Sequence, residues 1–239
     1  MMHVWAIDER EYARHETRRG RRHAFEQIDA IRAALVVADM VPFFVNENPY
    51  ARGIVPNIQR LARAIRSAGG VVAWVLPATD PPSPVRVEFL GAEIAERYRA
   101  SGGDGPLRDR LWHEFDVDDS DLLVEKRSAG AFFPGRCELP ALLDAAGVDT
   151  VIVAGTVANV CCESTLRDAA ALGCRTIMLA DANAAITDRD LNATLHTVYR
   201  SFGDVRTTDE VVTLISNETF PGKALVREPG VHRLVSKVH

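Results

Sequence analysis

The chain alternates short apolar runs with stretches of helical periodicity, and this alternation restricts the folds open to it. Apolar runs occupy residues 33–38, 71–76, 122–125, 150–154 and 176–180, and a sixth begins at Val205. A continuous apolar run of this length is typical of a strand that is buried on both faces. The helices predicted between and after these runs cover residues 54–68, 138–146, 161–172, 188–202 and 209–215, with partial helix over 85–100.

Strands that alternate with helices form βαβ units, in which the crossovers are right-handed and the strands run parallel. The sequence therefore predicts an α/β fold: a three-layer α/β/α Rossmann-like domain with a central, mainly parallel six-stranded sheet. We assign this domain to residues 31–216, with an N-terminal arm over residues 1–30 and a C-terminal tail over residues 217–239.

The composition argues against several classes of protein. The formal net charge is −5 and the isoelectric point about 5.8, whereas a bulk nucleic-acid binder is usually basic. No apolar run approaches the roughly 18 residues of a membrane span. Residues 1–30 are rich in Arg, Glu and His instead of carrying an apolar secretory segment, so a cytoplasmic location with four reduced cysteines is expected. We therefore expect a small molecule as partner, with no nucleic acid and no membrane.

The N-terminal arm contains an arginine-rich stretch over residues 11–22. One interpretation is a patch for an anionic ligand or a nucleic acid. The other is a solvated helix or a subunit-packing arm. The second is favoured because acidic residues interleave with the basic ones at Glu9, Glu11 and Glu16.

Three side chains that could take part in catalysis lie at the ends of predicted strands. Asp39 follows the first strand, Lys126 the third, and Cys161 begins the helix after the fourth. Ligands of an open parallel sheet bind beyond the carboxyl ends of its strands, so these residues are expected to converge on one edge. The helix N-terminus and the Lys126 ammonium are expected to lower the pKa of the thiol. Asp39 is suited to accept the thiol proton and later donate it to a leaving nitrogen.

Each of these residues also has a structural interpretation: a capping aspartate, a solvated lysine and a small buried cysteine. Their agreement on one edge is what favours the catalytic interpretation. Backbone N–H groups of the turn before Cys161 are further candidates to bind the oxyanion of a tetrahedral intermediate.

Three ordered motifs resemble the isochorismatase-like cysteine hydrolases. They are VVADMVPFF (residues 36–44), VEKRSAGAFF (residues 124–133) and GTVANVCCESTLRDAAALG (residues 155–173), and LADANAA (residues 179–185) also fits. The similarity spans roughly residues 33–215. It is strongest to the amidohydrolase branch, which includes N-carbamoylsarcosine and ureidoacrylate amidohydrolases.

The resemblance implies a mechanism. In the amidohydrolase members a cysteine attacks a carbonyl carbon, an amine or ammonia leaves, and water hydrolyses the thioester. These roles fall on Cys161 as nucleophile, Asp39 as proton shuttle and Lys126 as support for the thiolate. The resemblance also implies a homodimer or homotetramer and a cis peptide between Thr156 and Val157. That bond would direct the N–H groups of Val157 and Cys161 into an oxyanion hole.

The sequence departs from the family at two positions beside the nucleophile. Ala158 stands where a threonine is frequent, so one polar contact is missing. Cys162 stands where a valine is more usual, and the motif assigns the nucleophile to Cys161.

No metal and no other cofactor is predicted. The related nicotinamidase branch holds a metal through an Asp-x-His pair and a further histidine downstream of the first strand, and residues 40–74 contain no histidine. His113 and His196 are not framed by metal-binding spacings. No glycine-rich phosphate-binding motif follows any strand, so nucleotide binding by this fold has no support.

Five residues are candidates to bind substrate: Phe43, Trp74, Arg127, Phe133 and Asn159. The predicted function is a metal-independent cysteine hydrolase that cleaves a C–N bond, other than a peptide bond, in an amide, carbamoyl, ureido or lactam compound. One alternative is a vinyl ether hydrolase of the isochorismatase type, which does not need the cysteine. Another is a non-catalytic interaction protein with a relic site.

Overall fold

The structure of the chain is a computed structural model, which describes residues 1–216; the predicted C-terminal tail lies outside the described residues. Six strands form one sheet in the order β3-β2-β1-β4-β5-β6, and every neighbouring pair is parallel. The strands are β1 (Ala33–Ala38), β2 (Val71–Pro77), β3 (Leu122–Lys126), β4 (Thr150–Thr156), β5 (Arg175–Ala184) and β6 (Asp204–Arg206). The predicted α/β fold with a parallel six-stranded sheet is confirmed.

Ten α-helices in the described residues connect and cover the strands. They are α1 (Glu9–Arg19), α2 (Pro42–Glu47), α3 (Pro49–Gly53), α4 (Val55–Ser67), α5 (Pro84–Leu90), α6 (Ala92–Ala100), α7 (Leu139–Ala145), α8 (Glu163–Ala171), α9 (Asp188–Ser201) and α10 (Thr208–Ser216). The short helices α2 and α3 were not predicted. Each begins with a proline, whose fixed φ suits the first turn of a helix.

The sheet separates two apolar layers. Alternate residues of β1 point to opposite faces, so Leu35 and Val37 pack with α4 and α10, whereas Val36 packs with α8 and α9. All six residues of β1 are buried, which explains why this strand appears in the sequence as a continuous apolar run. Both faces therefore contribute to the hydrophobic stabilisation that holds the edge of the sheet in place.

The register of the strands brings the functional edge together. Ala38, the last residue of β1, pairs with Val75 of β2 and with Gly155 of β4, and Lys126 pairs with the last residue of β2. Gly155 has a φ of 119°, and a Cβ there would lie 2.2 Å from the Ala38 carbonyl oxygen. Only glycine permits this close approach of β4 to the strand end that carries Asp39.

The N-terminal arm packs against the domain. His3 is held between Asp188, at 2.6 Å, and the backbone N–H of Ala185, at 3.1 Å. Ile28 is fully buried in the same apolar layer as α4. Among residues 1–216 no helix combines the length and apolar character that crossing a membrane requires.

Candidate functional site

Asp39 lies directly after β1 in an unusual backbone conformation. Its φ is 54°, the left-handed region that non-glycine residues seldom adopt. The backbone on both sides is tied down, because the Asp39 N–H donates to the Val75 carbonyl and its carbonyl accepts from the Val41 N–H, both at 2.9 Å. The side chain is 1% exposed, and its Oδ1 has no hydrogen-bond partner among the described residues. One carboxylate oxygen therefore remains available to accept a proton.

Lys126, the last residue of β3, reaches both of the other predicted catalytic groups. Its Nζ lies 2.9 Å from Oδ2 of Asp39 and 3.5 Å from the sulfur of Cys161. A third contact is to the carbonyl oxygen of Ser128 at 3.3 Å. The lysine side chain is 4% exposed, so the ammonium and the carboxylate form a buried ion pair beside the thiol. The three residues thus come together at the carboxyl edge of the sheet.

Cys161 lies in a π-helical turn (Ala158–Cys162) that precedes α8, rather than in the first turn of the α-helix itself. The N–H groups of Val160, Cys161 and Cys162 all donate to the single carbonyl oxygen of Val157, at 3.0, 3.0 and 3.3 Å. The residue is half-buried, while the neighbouring Cys162 is fully buried. Local π-helical geometry of this kind recurs at functional sites, because it re-aims one side chain.

The electrostatics of the thiol differ from the expectation. Burial and, after it, the negative charge of Asp39 raise the pKa of Cys161, and Lys126 only partly offsets them, so that the pKa is about 12. The expectation that the turn and the lysine produce a low pKa was wrong, since removal of water and the carboxylate outweigh them. The sulfur therefore carries its proton in the resting protein.

The charge of Lys126 is stabilised in the same network. Burial by itself lowers the pKa of the ammonium, but the negative charge of Asp39 and the hydrogen bonds to Asp39 and Cys161 raise it above its ordinary value. The resting site thus holds an ammonium, a carboxylate and a neutral thiol. This arrangement suits transfer of the thiol proton to the carboxylate at the moment of attack.

The peptide bond between Thr156 and Val157 is cis. The N–H of Val157 is directed at the sulfur of Cys161 and lowers its pKa in part. The N–H of Cys161, the other predicted oxyanion donor, already donates to the Val157 carbonyl at 3.0 Å. Val157 is therefore the better placed of the two donors.

A residue that the sequence analysis missed ties two parts of the site together. Thr165 Oγ1 donates to the carbonyl of Cys161 at 2.7 Å and accepts from the N–H of Ala131 at 3.1 Å. It joins the nucleophile turn to the loop that follows Lys126. A threonine within an ordinary amphipathic helix gives no sequence signal for this role.

Trp74 does not belong to the site, and its prediction as a substrate-binding residue was wrong. It is fully buried, three residues before the end of β2, and its ring packs against that of Phe115, with the ring centroids 4.8 Å apart. Its indole N–H donates to the carboxylate of Asp121 at 2.7 Å. The side chain of a residue within a strand that is buried on both faces belongs to the core rather than to the rim.

The other four predicted substrate-binding residues have surfaces that a ligand can reach. Phe43 on α2 is half-buried against Phe44, with ring centroids 4.9 Å apart. Phe133 is 51% exposed, and Asn159 is exposed within the π-helical turn. Arg127 forms an ion pair with Asp80 at 2.7 Å. Their contact with substrate remains a prediction.

Over the described part of the chain, no group of three or more His, Cys, Asp or Glu side chains is arranged to hold a metal ion. Neither the cavity beside α1 and α9 nor the cavity in the loop before β3 includes the three converging residues. The site is instead an edge of the sheet at which charged groups meet a half-buried thiol.

Comparison with known protein families identifies one match. The isochorismatase domain matches residues 33–210, which is most of the chain and includes Asp39, Lys126 and Cys161. An uncharacterized isochorismatase family protein of Bacillus subtilis (strain 168) is 31% identical over 187 residues, which cover 77% of this chain and 94% of that protein.

Two further similarities concern proteins with more specific names. A ureidoacrylate amidohydrolase of Variovorax paradoxus (strain S110) is 29% identical over 206 residues, covering 75% of this chain and 80% of that protein. The crystal structure of a cysteine hydrolase from Pseudomonas syringae pv. phaseolicola superposes with a TM-score of 0.70 at 28% identity. The match covers 81% of this chain and 96% of the other.

Proposed function

Because the chain belongs to the isochorismatase family of hydrolases, we propose that it is a metal-independent cysteine amidohydrolase. It would cleave a C–N bond of a small amide, carbamoyl, ureido or lactam compound through a thioester. The observation that carries this proposal is the position of Lys126 Nζ, 2.9 Å from the Asp39 carboxylate and 3.5 Å from the Cys161 sulfur.

In the first half of the proposed reaction, Cys161 attacks the carbonyl carbon and its proton passes to Asp39. The new C–S bond places negative charge on the carbonyl oxygen, and the N–H of Val157 stabilises that charge. The tetrahedral intermediate collapses as Asp39 returns the proton to the leaving nitrogen. The amine or ammonia departs, and the acyl group remains on sulfur as a thioester.

In the second half, water replaces the amine. Asp39, again a carboxylate, removes a proton from the water as it attacks the thioester carbonyl. Collapse of the second intermediate breaks the C–S bond, and the sulfur takes back a proton. Lys126 keeps its charge throughout and balances the negative charge that moves between the carboxylate, the sulfur and the oxyanion.

The chemical class of substrate rests on the thiol together with the relatives. A thiol nucleophile suits acyl transfer, whereas vinyl ether hydrolysis does not require one. The name of the Variovorax paradoxus relative, a ureidoacrylate amidohydrolase, supports a substrate with a ureido or amide group. Phe43, Phe133 and Asn159 offer one polar and two aromatic surfaces, which favours a substrate that is partly apolar.

A screen for ammonia release tests the proposal. Purified protein is incubated with primary amides, N-carbamoyl amino acids, ureido acids and lactams, with loss of substrate followed for the lactams. We expect turnover of at least one class and a loss of at least about 100-fold in Cys161→Ala. Cys174→Ala is the matched control, because this half-buried thiol lies outside the site, and it should retain full activity.

Two results would count against the proposal. One is turnover of an amide that survives Cys161→Ala, which would remove the nucleophile from the mechanism. The other is cleavage of a vinyl ether substrate by Cys161→Ala at the rate of the unaltered protein, with no amide turned over by either form. That pattern would favour the isochorismatase-type reaction.

A further inference from the structure

One cavity of the structure lies far from the catalytic residues. It is open to solvent, has a volume of about 370 Å³ and is bordered by α1, the segment that follows α1, and the last turn of α9. Helix α9 begins after the carboxyl end of β5 and ends just before β6 starts, so its last turn lies at the amino edge of the sheet. The triad occupies the opposite edge, and a ligand in this cavity cannot reach Cys161.

The lining of this cavity is basic and aromatic. It includes four basic side chains and two rings: His15, Arg18, Arg19, Arg200, Phe25 and Tyr199. The rings are themselves covered by cations, since the guanidinium of Arg175 lies 4.7 Å above Phe25 and that of Arg19 lies 6.0 Å from Tyr199. Such a combination favours a flat molecule that carries negative charge.

Arg200 pairs with Glu11, but the other two arginines of this cavity have no carboxylate partner among the described residues. Arg18 forms no ion pair within residues 1–216, and neither does Arg19, whose guanidinium donates to the backbone carbonyls of Arg21 and Arg22 and keeps one nitrogen, Nη1, for a ligand. The nearby carboxylates form ion pairs with other arginines: Glu16 with Arg22 at 3.1 Å, and Glu11 with Arg200 at 3.6 Å. The chain as a whole has a net charge of −5, so this local excess of positive charge runs against its overall balance.

His15 provides an independent observation. The residue is only 6% exposed, it lines the cavity, and its Nε2 has no hydrogen-bond partner among the described residues. Buried polar atoms normally have a partner. An acceptor oxygen of a bound anion would supply one.

We propose that this cavity binds a small anion that joins a flat aromatic or heteroaromatic ring to a phosphate or carboxylate group. Arg18 and Arg19 would hold the anionic group, His15 would donate to it, and Phe25 with Tyr199 would contact the ring. Because α1 and α9 both contribute, the bound anion would fasten the N-terminal arm to the domain. For these two arginines, the proposal follows the first interpretation of the arginine-rich stretch, a patch for an anionic ligand, rather than a solvated helix or a subunit-packing arm.

Binding should depend on pH. Burial lowers the pKa of His15, and the charges of Arg19 and Arg18 lower it further, while Glu11 and the Tyr199 backbone oppose them. Arg200, from α9, adds positive charge to the same cavity. A bound anion offsets these charges and raises the pKa, so His15 takes up a proton on binding. Affinity should therefore increase as the pH falls from about 8 to about 6.

Calorimetric titration of the full chain tests this inference. The probes are AMP and benzoate, which join a ring to an anionic group, with inorganic phosphate and adenosine as the separated halves. We expect AMP or benzoate to bind more tightly than either half and to raise the melting temperature. Arg18→Ala should weaken binding about tenfold, and His15→Gln should remove the pH dependence. The matched control is Arg63→Ala, an exposed arginine of α4 without an ion pair among residues 1–216, which should bind as the unaltered protein does.

The inference is wrong if neither charged ring compound binds the unaltered protein at millimolar concentration. It is equally wrong if Arg18→Ala and Arg63→Ala weaken binding by the same factor, because the effect would then be general screening of charge. Neither result bears on the proposed hydrolase activity, since the readout is binding at the opposite edge of the sheet.

Discussion

At the scale of residues, the central feature is a buried ion pair that shares its environment with a thiol. The side chains of Asp39 and Lys126 are 1% and 4% exposed, so each charge depends on the other for stabilisation. The carboxylate that makes the thiol hard to ionise is also the base that can remove its proton. In the proposed mechanism, the site would thus avoid a permanently reactive thiolate and ionise the sulfur only as the C–S bond forms.

Replacement of Asp39 by asparagine separates these two roles. In Asp39→Asn the negative charge that raises the pKa of Cys161 is gone, while the charge of Lys126, which lowers it, remains. We expect the pKa of Cys161 to fall below about 12, yet amide turnover to drop by at least about 100-fold because the proton shuttle is missing. The ultraviolet absorbance of the thiolate against pH, with Cys161→Ser as reference, measures the first effect. A pKa that rises in Asp39→Asn would contradict the electrostatic account.

The sequence allowed the three catalytic candidates to be located, because each follows the end of a strand. The protonation state of the thiol could not be predicted in the same way. It depends on how much water the folded protein removes from Cys161 and on the distance to Asp39, and neither is encoded in local spacing. The error over Trp74 has a similar origin, since a strand pattern does not say how far below the rim a side chain lies.

At the scale of elements, the strands that are buried on both faces were predictable and the irregular segments were not. The run over residues 176–180 identified β5, but the strand continues to Ala184 through Asp181 and Asn183. Asn183 can be buried there because its amide donates to the carbonyls of Val153 and Leu179. The π-helical turn before α8 could not be predicted from periodicity, because its five residues are too few to show an apolar repeat.

One buried contact between elements should control stability without touching the site. Asp121 precedes β3 and accepts from Arg66 on α4, at 2.6 and 2.8 Å, and from the Trp74 indole at 2.7 Å. Asp121→Ala leaves these buried donors without an acceptor, so we expect a loss of about 3–5 kcal/mol in the free energy of unfolding. Urea denaturation of the variant and the unaltered protein measures this difference in the free energy of unfolding.

The control for this prediction is Asp119→Ala. Asp119 also pairs with an arginine, Arg108, at 2.7 Å, but its side chain is fully exposed. Solvent-exposed ion pairs contribute little to stability, so we expect the free energy of unfolding to change by no more than about 0.5 kcal/mol. If both substitutions lowered the free energy of unfolding equally, the buried network would contribute no more to stability than the exposed ion pair.

At the scale of the whole molecule, a group of exposed large apolar side chains on two consecutive helices suggests where copies of the chain would associate. On α5, Phe89 is 85% exposed and Val85 73% exposed. Helix α6 continues the surface with Ile94 and Tyr98, which are 39% and 40% exposed, and Tyr98 contacts Phe43 near the site. Exposed apolar patches of this kind mark interaction surfaces.

We therefore expect a homodimer or homotetramer that buries α5 and α6. Phe89→Asp places a charge in this surface and should shift the protein toward the monomer. Size-exclusion chromatography with light scattering measures the mass. As control, Ile31→Asp introduces the same charge at a residue that is 64% exposed elsewhere. An unaltered protein that is monomeric at micromolar concentration would contradict this expectation.

The account as a whole depends on a thioester at Cys161, and acylation by p-nitrophenyl acetate tests it most directly. In Asp39→Asn the thiol loses its proton to solvent more readily, because the charge that raises its pKa is gone. The nitrophenolate leaving group needs no proton, so this variant should still be acylated, whereas hydrolysis of the acyl group needs the Asp39 base. Acid-quenched protein is analysed by intact mass and tandem mass spectrometry, which distinguishes Cys161 from Cys162. We predict acetyl on Cys161 in both proteins, with greater accumulation in Asp39→Asn. Acetyl spread equally over Cys137, Cys161 and Cys174, or absent from Cys161 in both proteins, would contradict the catalytic role of this thiol.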